Sequence, residues 1–99
     1  MEINVNDLKL FNSYQLIDVR ENIKYKKYHI AGSINVEYSE LLINPMRYLE
    51  KKKEYLIICD YGLMSKRISK ILNNMGYLTK SLSGGIKEYQ RFNDICKKN

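Results

Sequence analysis

Histidine and cysteine are scarce in this chain: one His and two Cys among 99 residues. Three such side chains cannot complete a four-ligand zinc site without carboxylates. No C-x-x-C or H-x-x-x-H spacing occurs either, so no metal and no cofactor is expected. The two cysteines, Cys59 and Cys96, lie far apart and read as thiols rather than a disulfide. Long hydrophobic runs are missing too: Tyr55–Cys59 is hemmed in by Glu54 and Asp60, far short of a membrane span. Met1–Asp7 carry neither a basic cluster nor an apolar stretch, so no signal peptide and no membrane partner are expected, and the location expected is cytoplasmic. No repeat, low-complexity stretch or linker interrupts the chain. One domain over residues 1–99, with a core of its own, is expected.

What is present is an ordinary globular composition, 44% apolar and 28% charged. The net charge of +6 comes from lysine spread along the chain, densest at Lys24-Tyr-Lys-Lys-Tyr28 and Lys51-Lys-Lys53. No nucleic-acid-binding motif accompanies those runs. They read as solvated faces, and no nucleic-acid partner is expected. The positive field does speed the arrival of small anions.

Hydrophobic patterning alternates strands with helices. Ile3–Val5 reads as a short edge strand, followed by a short helix capped by Asn6 or Asp7 and running through Leu10. Gln15–Val19 and Ser33–Val36 read as strands, and Glu21–Tyr28 and Tyr38–Leu42 as helices, the latter ended by Asn44-Pro45. Tyr55–Cys59 is a buried strand. Ser65–Met75 is a helix whose Ile68, Ile71, Leu72 and Met75 form the core-facing stripe, with Ser65 in its first turn and Gly76 as its stop. Leu78–Leu82 is a further strand, Gly84-Gly85 a turn, and Ile86–Phe92 a last helix. This alternation predicts an α/β fold with a mostly parallel sheet of about five strands and helices on both faces.

Cys59 stands where that fold places chemistry, at the C-terminal edge of a buried strand on a turn that feeds a helix. Backbone N–H groups in such a turn form an anion-binding concavity. The positive end of the next helix favours negative charge on a bound anion or on the sulfur. The thiolate is the reactive form of cysteine, so the loop suggests a nucleophile and an anion site together.

Four blocks carry a family resemblance. Leu16-Ile-Asp18-Val-Arg20-Glu21 resembles a D-x-R-E signature. Tyr25-Lys-Lys-Tyr28-His29-Ile30-Ala31-Gly32-Ser33-Ile34-Asn35 resembles E-[FY]-x-x-G-H-I-P-G-A-x-N. Cys59-Asp-Tyr-Gly62-Leu-Met-Ser65 resembles the loop C-x-x-G-x-R-S, and Leu82-Ser-Gly84-Gly85-Ile-Lys-Glu-Tyr89 resembles L-x-G-G-x-x-x-W. In this order and spacing they resemble a single-domain rhodanese, a sulfurtransferase homology domain, over essentially the whole chain. Related phosphatases use a longer loop with His before the Cys and Arg six positions after it. Here Ile58 precedes Cys59 and Ser65 holds the sixth position, so phosphoryl chemistry is disfavoured.

The resemblance implies a rhodanese-type sulfurtransferase in which Cys59 takes the sulfane sulfur of a donor, thiosulfate or a persulfide, and passes it on from a persulfide. The acceptor it implies is cyanide or a thiol, including a thioredoxin-like or sulfur-relay protein. Asp60, Tyr61, Gly62, Leu63, Met64 and Ser65 would form the substrate loop, with Arg20, Lys66 and Arg67 as electrostatic support. Asp18 and Arg20 would fix the sheet edge beside the loop, and His29 is expected to be a hydrogen-bonded structural residue. Departures from the pattern are Tyr28 for Gly, Ala31 for Pro, Tyr89 for Trp and, at the site, Met64 for the loop arginine. Asp60 next to Cys59 disfavours both a thiolate and an anionic donor. A second reading therefore stands beside the enzyme: a rhodanese-like module with little or no turnover, serving as a sulfur carrier or protein-binding domain. Cys96 reads as structural or incidental.

Overall fold

The computed structural model describes residues 2–7 and 11–97, with side-chain surroundings through residue 93. The helix expected up to Leu10 lies outside the described residues, as does the side chain of Cys96. Five strands form one sheet: β1 (Glu2–Ile3), β2 (Gln15–Asp18), β3 (Ile34–Asn35), β4 (Glu54–Ile58) and β5 (Leu78–Leu82). Their order is β1-β5-β4-β2-β3, and every pairing is parallel. Between them run α1 (Asn22–Lys27), α2 (Tyr38–Ile43), α3 (Pro45–Tyr48) and α4 (Leu63–Asn74), and α5 (Gly85–Lys97) follows β5.

The near-continuous apolar run of β4 suits a central strand covered on both faces. Its register sets Leu56 against Leu16 and Ile57 against Ile17. Because successive side chains alternate across a strand, two cores result, one on each side of the sheet. Ile17, Tyr55 and Ile57 pack with Val36, Leu41, Leu49, Ile68 and Leu72 beneath α2, α3 and α4. Leu16, Leu56 and Ile58 pack with Ile3, Ile30, Leu82 and Ile86 beneath α5. Each fully buried Leu or Ile contributes about 1.5–3 kcal/mol relative to exposure. These two layers hold the C-terminal edge of β4, and so Cys59, in a fixed place.

The core face of α4 differs from its apolar spacing. Ile68 and Leu72 are buried, but Ile71 and Met75 are 42% and 44% exposed. Ser65 and Ser69 occupy the buried positions instead. They can do so because β5 presents hydroxyls to meet them: Ser65 Oγ lies 2.6 Å from Ser81 Oγ, and Ser69 Oγ 2.7 Å from Thr79 Oγ1. A buried hydroxyl with a partner carries no desolvation penalty that would expel it. Helix α4 stops as its glycine suggests, with Tyr77 N–H bonded to Leu72 O at 3.1 Å and Gly76 N–H to Asn73 O at 3.0 Å. Pro45 ends α2 but also opens α3 as its first residue, a role proline fills because that position needs no N–H donor. Among the described residues no helix is long and apolar enough to cross a membrane.

Candidate active site

Strand β4 ends at Ile58, and Cys59 turns into the loop that starts α4. The first N–H groups of a helix have no partner within it. Here the sulfur of Cys59 takes two of the donors at this end: Gly62 N–H at 3.1 Å and Ser65 N–H at 3.2 Å. The thiol donates to Ser65 Oγ at 3.3 Å. The helix is therefore capped by the sulfur rather than by an N-cap side chain, since the N-cap is Gly62. Gly62 has φ +92°, and a Cβ there would stand 2.8 Å from Gly84 N and 3.1 Å from Leu82 O. Only glycine fits that approach.

Behind the sulfur lies a closed set of hydroxyls. Ser65 Oγ is 3.2 Å from Gly62 O and 2.6 Å from Ser81 Oγ, which in turn lies 3.5 Å from Gly62 O. Ser65 and Ser81 are fully buried. A hydroxyl can turn, so Ser65 can accept from the thiol or donate to a charged sulfur while Ser81 remains its partner.

The start of α5 sets the loop's direction. Ile86 N–H bonds to Cys59 O at 2.9 Å and Lys87 N–H to Asp60 O at 3.1 Å. The unpaired donors at one helix start thus hold two loop carbonyls away from the sulfur, while loop N–H groups face it. This requires Gly85, at φ +62°, because a Cβ would collide with the Cys59 carbonyl and stand 2.6 Å from Asp60 C. The sequence reading of Gly84-Gly85 as a mere turn gave no hint of this contact with the nucleophile loop.

Cys59 is 5% exposed. It forms part of the wall of an open cavity of about 380 Å³ that also meets Arg20, Lys24, Tyr38, Asp60, Met64 and Arg67. Asp60 does not confront the sulfur as an uncompensated charge. Its carboxylate accepts from Lys24 Nζ at 2.8 Å and lies 3.7 Å from Arg20 Nη1. Arg20 itself grips buried Asp18 through Nε at 3.0 Å and Nη2 at 2.8 Å, and donates to Tyr28 O at 2.6 Å. Burial alone would lower the Arg20 pKa, but the hydrogen bonds and charge of Asp18, then of Asp60, carry it upward. The Lys24 ammonium is likewise held above its ordinary range, first by its hydrogen bond to Asp60 and then by that charge. Both cations stay charged through neutral pH. The effect expected of Asp60 from sequence is thus offset by two neighbours, of which Lys24 shows in the sequence only as part of a basic run.

The loop residues expected from sequence surround Cys59, with Tyr61 and Leu63 64% and 74% exposed at the rim. Arg20 and Arg67 line the cavity, but Lys66 does not. Its place on α4 turns it to the sheet edge, where Nζ lies 3.7 Å from Glu2 Oε1. His29 stands outside the cavity. Its Nδ1–H donates to Tyr25 O at 2.8 Å, and its ring stacks on that of Tyr25 at 3.9 Å between centroids. Beyond the residues read from sequence, the site uses Lys24, Glu21, Val19 and Tyr38 as lining, Ser81 behind the sulfur and Gly85 beneath the loop.

The Rhodanese-like domain family model matches residues 5–92. The chain is 31% identical to YtwF of Bacillus subtilis over 75 residues, covering 76% of this chain and 72% of that protein. It is 29% identical to the thiosulfate sulfurtransferase PspE of Escherichia coli over 85 residues, covering 85% of this chain and 82% of PspE. Among solved structures, a rhodanese-related protein from Thermoplasma volcanium superposes with a TM-score of 0.83 at 33% identity, covering 91% of this chain and 90% of that one. With a parallel five-stranded sheet and a cysteine loop lodged between two helix starts, the chain belongs to the rhodanese-like domain family of sulfurtransferase relatives.

Proposed function

We propose that the protein is a sulfurtransferase that carries sulfane sulfur on Cys59. The observation that supports this most is the sulfur's setting. Two backbone N–H groups donate to Sγ at 3.1 and 3.2 Å, and the thiol itself donates to Ser65 Oγ at 3.3 Å. Donors fixed before the reaction stabilise charge as it develops without having to reorganise. With thiosulfate, the Cys59 thiolate attacks the outer sulfur. A Cys59–sulfur bond forms, the donor's sulfur–sulfur bond breaks, and sulfite leaves with the electron pair. A nucleophilic acceptor, cyanide or a thiolate, including that of a thioredoxin-like or sulfur-relay protein, then attacks the outer sulfur of the persulfide, and Cys59 leaves as thiolate. The cycle is a double displacement with one covalent intermediate.

The test is intact mass after incubation with thiosulfate, polysulfide or a cysteine persulfide. The expected gain is one sulfur atom, lost on adding cyanide and absent in Cys59→Ser. A wild-type protein that gains no sulfur from any of the three sinks the proposal. Met64 is the specific observation favouring the second reading, a carrier or binding module with little turnover. That reading predicts a persulfide that forms but is not released to cyanide or to thiols.

A further inference from the structure

The cavity leads to a narrower statement about the donor, and it rests on the sulfurtransferase reading above. Thiosulfate is a compact dianion whose charge is shared by the sulfane sulfur and the three oxygens of the sulfonate bonded to it. Binding it needs a free cation beside Cys59, and the loop offers Met64 at that position. The other two cations near the sulfur are occupied: Arg20 by Asp18, Tyr28 O and Asp60, and Lys24 by Asp60. Arg67 is different. It lines the same cavity and has no ion pair or hydrogen bond from its side chain among the described residues. It stands three residues after Met64 on α4, on the same side of the helix and roughly one turn further from the sulfur. Side chains on a helix lean toward its N-terminus, which tilts Arg67 toward the cavity mouth. Leu63, Met64 and Tyr38 give the cavity that Cys59 and Arg67 share an apolar part of its lining. A volume of about 380 Å³ also leaves room for a donor larger than thiosulfate. Glu21 lines the cavity beside Lys24, so it disfavours a second negative charge at that end.

We propose that the site selects an organic persulfide, R–S–SH, whose carbon skeleton lies on Leu63, Met64 and Tyr38 and whose single anionic group pairs with Arg67. In the transfer, the Cys59 thiolate attacks the outer sulfur. The new Cys59–S–SH bond forms as the donor's sulfur–sulfur bond breaks. R–S⁻ leaves with the electron pair, and the proton stays on the transferred sulfur. The product persulfide can then ionise against the same N–H groups that held the thiolate.

Two donors that differ at one group test this: the persulfides of N-acetylcysteine, which bears a carboxylate, and of N-acetylcysteine amide, which does not. Each is followed by sulfur loading of Cys59, with thiosulfate in parallel. A charge-assisted hydrogen bond supports a preference of about tenfold in kcat/KM for the carboxylate donor, with thiosulfate slower than it. In Arg67→Gln that preference ratio falls to about one. A ratio unchanged in Arg67→Gln, or thiosulfate as the fastest donor to wild type, overturns the donor assignment while leaving Cys59 as a sulfur carrier. Absence of loading from every donor removes both readings together.

Discussion

Gly85→Ala separates the two demands that the junction beneath the nucleophile loop makes on its residue. The first is backbone: at φ +62° a residue with a Cβ pays roughly 1–2 kcal/mol that glycine does not. The second is space. The added Cβ would meet the Cys59 carbonyl and stand 2.6 Å from both the carbon and the oxygen of the Asp60 carbonyl group. These are backbone atoms, which no rotamer change can move. Helix α5 must lift, weakening the bonds from Ile86 N–H and Lys87 N–H to Cys59 O and Asp60 O, at about 1 kcal/mol each. The total loss comes to about 3–4 kcal/mol, a large part of the stability of a typical domain. Gly32→Ala is the control, because φ there is +86° with nothing within 4 Å of an added Cβ, so it carries the backbone part alone. Urea denaturation followed by circular dichroism, with unchanged slopes, gives both differences. Sulfur loading of folded Gly85→Ala should also slow, since the loop carbonyls would be free to turn toward the sulfur. If the two alanine variants lie within about 1 kcal/mol of each other, α5 does not clamp the loop as described.

Two further outcomes follow from the same site. Ser81→Ala removes the buried hydroxyl 2.6 Å from Ser65 Oγ and should slow sulfur loading of Cys59 about fivefold, the worth of roughly one hydrogen bond. Ser69→Ala breaks the matching pair with Thr79 one turn along and should cost similar stability without slowing loading; equal slowing in both variants would make Ser81 a packing residue only. Met64→Arg should raise the rate of loading from thiosulfate about tenfold, measured by intact mass against time, by supplying a guanidinium at the loop itself; an unchanged rate would show that the missing charge is not what limits this donor.

The limits of sequence reading fall at identifiable residues. Strands β2, β4 and β5 follow from local apolar runs because they are central or nearly so, and Leu78–Leu82 has the bounds expected. The apolar stripe of α4 misled at Ile71 and Met75 because spacing registers which residues are hydrophobic, whereas burial there depends on hydroxyl partners held by β5. No periodicity within one element reports a partner on another. The same holds for Asp60, whose charge read alone opposes an anion, and whose effect changes once Lys24 arrives from a segment 36 residues earlier. Lys66 shows the converse: next to Arg67 in sequence, it faces a different edge of the molecule. Local blocks in the right order were enough to find the loop. Its electrostatics are tertiary.

The two helix starts that meet at Cys59 also bear on how the site behaves over time. One start points its free N–H groups at the sulfur, and the other holds the loop's carbonyls back. The arrangement of these peptide dipoles is therefore established when the chain folds and stays constant afterwards. Charge can come and go on the sulfur through many cycles while its surroundings keep still. On this view the loop should be among the last segments to exchange its amide hydrogens, although its place at a cavity mouth would suggest the first.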